Sequence, residues 1–163
     1  MAVQKMTMQQ FVLGACAFFV AFVFEHLPMP DLLMWLQPQW VMLAITLLVL
    51  NAPRVYGLWL AVPAGLMMDT ETGAYLGLHV ITFSFHIFLV QLFIRRLDGF
   101  NLLQQMLMVL ILALAHQLAL FWVSQMMEAY PKPIDIWGPA LTSALVWPWV
   151  YAITQLTIRR ILS

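Results

Sequence analysis

In a chain that avoids charge, the residue with the most chemistry to explain is Asp69, an acid between two long hydrophobic runs. Gly65, Asp69, Gly73 and Gly77 follow one another there at four-residue steps. Near the edge of a membrane such a carboxylate binds a cation, a substrate amine or a partner's arginine, or relays protons. It also has an architectural use, accepting hydrogen bonds from backbone amides where one helix ends and the next begins. With Thr72 three residues on, that would tie a tight hairpin, and the Gly-bounded setting favours this second use. The histidines are the other titratable candidates. His79 and His86 are seven apart and share one helix face, where Thr82 and Ser84 join them in a polar seam. Two imidazoles at that spacing do not chelate one ion on their own, and zinc needs several converging ligands. Satisfied intramembrane hydrogen bonding is the expectation for them and for His116 and Gln117, and no metal site is expected. Cys16 is the one cysteine, so an internal disulfide is excluded. No nucleophile–base–orienter set, phosphate-cradling glycine loop or water-exposed acid pair occurs. The sequence therefore predicts no catalytic residue, no enzyme activity and no cofactor.

The elements that must position these residues are apolar helices. The 163 residues are 64% hydrophobic and 9% charged. A soluble domain is about half apolar and about a quarter charged. The charge deficit decides for a polytopic membrane protein. The length allows about six spans of roughly 20 residues. Residues 1–163 thus read as a single integral membrane domain with no room for a soluble one. Zero net charge offers nothing to a nucleic acid. Only Lys5 precedes the first apolar segment, and no small-x-small cleavage site follows, so that segment reads as a retained span.

The expected spans are residues 11–24, 40–51, 55–68, 74–94, 102–127 and 136–158. Between the first two, prolines and acids break the helix, and residues 32–39 read as an amphipathic connection with Trp35 and Trp40 at headgroup level. Six spans put both termini on one side. If that side is the cytoplasm, Lys5, Arg54, Arg95, Arg96, Arg159 and Arg160 lie inside and only Lys132 outside. The positive-inside rule favours this split strongly. The third run is short, at about 14 residues or roughly 21 Å of helix. Were it re-entrant, Arg95, Arg96, Arg159 and Arg160 would fall outside and the bias would vanish. The expectation is therefore an all-α protein with six transmembrane helices, cytoplasmic N- and C-termini, and the Asp69 turn at or just below the outer face. Gly65, Gly73 and Gly77 are expected to pack the hairpin closely, since glycine lets helix backbones approach. Trp147, Pro148 and Trp149 lie inside the sixth span. The proline kinks the helix, and the indoles fill the groove so made or form a docking surface.

Pro38 and Trp40 opening the second span, then Gly65, Asp69, Gly73 and Gly77, then Trp147, Pro148 and Trp149 in the last one, form an ordered set across nearly the whole chain. That set, at this length and topology, resembles the rod shape-determining protein MreD family. The resemblance implies a multi-pass protein of the bacterial cytoplasmic (inner) membrane that belongs to the cell-elongation machinery and is not an enzyme. It implies as partners the bitopic scaffold MreC, the actin-like MreB system, a RodA-type glycosyltransferase and a class B penicillin-binding transpeptidase, besides membrane lipid. It also implies a fold like the six-helix substrate-binding subunits of vitamin-uptake transporters. A small-solute-binding role in such a transporter is the alternative function, and it requires a polar-aromatic pocket near the Asp69 turn and the 128–135 loop. Pro63, two residues before Gly65, is expected to add a kink to the third helix.

Overall fold

The structure is a computed structural model and describes residues 8–28, 30, 36–97, 100–127 and 137–162. Among these the chain is all-α. Helix α1 is Met8–Glu25, α2 is Trp40–Asn51, α3 is Ala61–Thr72, α4 is Leu78–Leu97, α5 is Leu102–Met126 and α6 is Trp137–Leu162. A 3-10 turn, Leu58–Leu60, runs into α3. Residues 32–35 of the interfacial connection expected over 32–39, including Trp35, lie outside the described residues. So do the 128–135 loop and the charged residues Lys5, Asp31, Asp98 and Lys132.

Helix α5 alone, among the described residues, is both long and apolar enough to cross a hydrocarbon core, with a mean hydropathy of 2.2. Shorter apolar helical stretches cover Gln10–Glu25, Trp40–Asn51 and Leu78–Ile94. The third helix departs most from expectation, because residues 53–57 do not enter it. The Val55 and Tyr56 amides instead turn back onto the Ala52 carbonyl, at 2.9 and 2.8 Å. Pro63 then falls in the first turn of α3, where amides have no intrahelical partner and a missing N–H costs little. It helps start the helix and is not needed as a kink. At the other end α3 continues past Asp69 to Thr72, so Asp69 sits in a helix's last turn and not in a loop.

Helix α2 is the centre of the bundle. Its residues from Val41 to Leu47, and Val49, are all buried. A helix that is apolar all round belongs inside. On one side Val41, Ile45 and Val49 pack with Ala61, Ala64 and Met68 of α3 and with Phe83 and Ile87 of α4. On the other, Met42, Leu43 and Leu47 pack with Val109 and Ala113 of α5 and with Ala140 and Trp147 of α6. The outward faces are also apolar: Leu103, Leu107 and Ile111 on α5 and Leu145, Trp149 and Ile153 on α6 are each at least half exposed. The polar side chains Thr46, Asp69, Thr82, His86 and Ser143 are buried. A water-soluble domain arranges these two classes the other way round. Facing polar groups inward is what a lipid environment demands, although His86 Nδ1 and His116 Nδ1 are buried without a hydrogen-bond partner, against the expectation of fully satisfied bonding.

Candidate functional site

Asp69 is 1% exposed and its carboxylate is fully engaged. Oδ2 accepts from the Gly77 amide at 2.7 Å. Oδ1 accepts from the His79 amide at 2.9 Å and from His79 Nδ1 at 2.7 Å. These amides belong to the start of α4, whose first-turn N–H groups have no helical partners and carry the positive end of the helix dipole. The acid in the last turn of α3 thus caps the next helix across the hairpin, and the imidazole closes over it.

The glycines divide into two roles. A Cβ on Gly65 would come within 2.5 Å of Val80 Cα and 2.7 Å of its Cγ2, so α3 and α4 touch backbone to backbone there. Gly73 and Gly77 are not packing residues, because a Cβ at either would meet nothing within 4 Å. They have φ of 64° and 103°, a region L side chains rarely enter. Gly73 ends α3 in the left-handed conformation, and Gly77 delivers its amide to Asp69. The four-residue spacing is therefore one close contact followed by two turns, and the Gly73-x3-Gly77 pattern makes no packing face. Thr72 does not join the turn network either; its hydroxyl donates to the Met68 carbonyl at 2.7 Å.

The seam expected on α4 is buried, without Ser84. His86 Nε2 lies 2.8 Å from Thr46 Oγ1 of α2. The Thr46 hydroxyl itself donates to the Met42 carbonyl at 2.8 Å, so His86 must be the donor of that pair. His116 of α5 stacks on Phe83 and meets His86 edge-on, both with ring centroids 5.3 Å apart. Ser84 turns back to the Val80 carbonyl at 2.7 Å. Among the described residues no three His, Cys, Asp or Glu side chains converge as metal ligands.

The remaining motif residues are spread over the bundle. Pro38 is buried beside the start of α2, and the Trp40 ring packs on Phe24 at 5.2 Å. Pro148 lies inside α6 and its two neighbours part company. Trp147 is fully buried, with Nε1 3.4 Å from Gln105 Oε1, whereas Trp149 is 74% exposed. The structure does not bring Trp40, Asp69 and Trp149 together into one site.

A second acid does what Asp69 does, although from the sequence it is one of the acids that, with the prolines, break the first helix. Glu25, at the end of α1, accepts from the Val41 amide in the first turn of α2 at 3.0 Å, with the Trp40 amide alongside. Gln37 Nε2 donates to the Glu25 carbonyl at 2.6 Å and closes the end of α1. Ser143 of α6 accepts from the Gln39 amide at 2.9 Å and completes the start of α2. The signal that could have found Glu25 is the one used for Asp69: an acid in the last turn of an apolar helix shortly before the next. Nothing in the sequence marks Ser143.

The groove between α4 and α5 is open and apolar, about 350 Å³, lined by residues such as Ile81, Phe85, Leu118 and Trp122. It offers no polar lining for a solute. The Asp69 end of the pocket required by a transporter role is packed; its other half, residues 128–135, lies outside the described residues.

This is a helical, inward-polar bundle of membrane-protein character, whose buried acid is consumed by its own hairpin. A sequence model described as rod shape-determining protein MreD matches residues 5–157, and the chain belongs to that family. It is 28% identical over 145 residues to the protein named "Rod shape-determining protein MreD" from Haemophilus influenzae (strain ATCC 51907 / DSM 11121 / KW20 / Rd), covering 88% of this chain and 89% of that one. No solved structure matches the chain. Membership of the family gives it a membrane-associated, non-catalytic role in maintaining cell shape.

Proposed function

We propose that this protein is a multi-pass subunit of the bacterial cell-elongation complex in the cytoplasmic membrane, holding MreC and helping to organise the peptidoglycan synthases. The observation that carries the reading is the family match over residues 5–157. Six spans with cytoplasmic termini agree with the distribution of basic residues, and the single integral domain is part of the same proposal. The chemistry fits a holder. Asp69 has no free oxygen to offer a substrate, and the apolar outer walls suit lipid and partner helices. In this reading the Asp69-tied hairpin shapes the outer surface, Pro38 and Trp40 set the start of α2, and Pro148 presents Trp149 outward while Trp147 anchors α6. The MreB system, a RodA-type glycosyltransferase and a class B penicillin-binding transpeptidase are the further partners.

The test is co-expression with MreC in membranes and purification in mild detergent. The expected outcome is co-elution that survives Asp69→Asn, which keeps an acceptor oxygen, and weakens with Trp149→Ala. Failure of the wild-type pair to co-elute would remove the proposal. The transporter reading is not favoured, because the Asp69 end of its pocket is packed.

A further inference from the structure

His26 follows the last residue of α1. Its Nδ1 lies 2.8 Å from the Phe22 carbonyl, and its ring rests on the Phe22 ring at 4.5 Å. A carbonyl only accepts, so Nδ1 carries a proton. The other nitrogen, Nε2, lies 4.0 Å from Glu71 Oε1 in the last turn of α3. In the neutral ring Nε2 is then a lone pair facing a carboxylate, which repels it. In the imidazolium Nε2 gains a proton and the contact becomes an ion pair. We propose that His26 and Glu71 form a protonation-gated clamp that draws the outer end of α1 onto the α3–α4 hairpin in acid and releases it in alkali.

Two features make α1 the element that would respond. It lies at the edge of the bundle, and only Gly14 and Ala21 are buried among its described side chains. It is also held by the Tyr56 hydroxyl, which donates to the Gln10 carbonyl at 2.5 Å, and, directly beside His26, by the Glu25 carboxylate on the Val41 amide, where burial pushes the acid up to about 7. The ionisable groups facing His26 among the described residues are Glu71 from α3 and Glu25 on its own helix. Asp69 is taken up by His79 and the α4 amides.

The experiment places nitroxide labels at Leu27→Cys and Thr70→Cys, both exposed positions, in the full chain carrying Cys16→Ala. Distance distributions are measured in lipid nanodiscs at pH 5.5 and 8. The expected result is a larger short-distance population at pH 5.5, by about two- to fivefold, the range an exposed ion pair supports. Glu71→Gln and His26→Gln should each abolish the pH response and leave the long-distance population at both values. An unchanged distribution in the parent would overturn the proposal. So would a response that survives Glu71→Gln but is lost in Glu25→Gln, which would assign it to the α1–α2 cap. The outcome is independent of MreC binding and so stands or falls separately from the proposed function.

Discussion

The α1–α2 and α3–α4 hairpins use the same device at different depths. Each ends its first helix on an acid that accepts amides from the first turn of the second, Glu25 on Val41 and Asp69 on Gly77 and His79. Each also brings a glycine against a neighbour, Gly14 under the Tyr56 ring and Gly65 on the Val80 backbone. The surroundings differ. Asp69 is buried with three donors on it, and α3 buries Ala61, Ala64, Gly65, Met68 and Asp69. Glu25 is only partly buried, and α1 shows most of its surface. An acid cap in an apolar setting costs much to break, because the donors it leaves behind find no water. The Glu25 cap holds fewer donors and is partly accessible to water, so breaking it costs less. The α3–α4 hairpin is therefore the fixed part of the molecule and α1 the adjustable part.

Four substitutions sharpen or break that contrast. Asp69→Leu strands the Gly77 and His79 donors in an apolar pocket and should cost about 3–5 kcal/mol. Accumulation in membranes and chemical unfolding in detergent would both register it. Gly65→Ala drives a Cβ into the Val80 backbone, which cannot move aside without parting the helices, and should cost about 1–3 kcal/mol by the same unfolding measurement. Glu25→Ala removes a more accessible helix cap and should cost about 1 kcal/mol. Gly14→Ala meets only the ring of Tyr56, a side chain that can swing away, and should cost under about 1 kcal/mol with loss of the Tyr56–Gln10 bond. If Glu25→Ala proved as damaging as Asp69→Leu, the two hairpins would be equals and the distinction would fail.

Much of this was legible in the sequence, for definite reasons. A carboxylate bracketed by glycines in an apolar chain has few uses, so a tie from Asp69 to backbone amides is readable in the sequence. The roles of Gly73 and Gly77 were not, because spacing does not separate a positive φ from a close helix contact. The extent of α3 was hidden because residues 55–60 are as apolar as a helix yet form turns. Glu25 was hidden by its neighbours: with Pro28 and Pro30 following, it reads as the start of a loop, and the amides it caps are 15 and 16 residues away. The buried partners Thr46 and Ser143 depend on helices meeting across 40 and 104 residues, which no local pattern records. Trp147 and Trp149 looked alike and ended on opposite sides of α6, since two residues on a helix differ by about 200°.

Asp69 holds the start of α4 more firmly than Glu25 holds the start of α2. Amide hydrogen exchange in nanodiscs, followed by mass spectrometry, reads it directly. In Asp69→Ala, exchange over residues 77–79 should rise by at least about tenfold, the equivalent of about 1.4 kcal/mol. In Glu25→Ala the rise over residues 40–42 should be several-fold smaller. Unchanged protection of residues 77–79 in Asp69→Ala would show that the acid does not hold the start of α4.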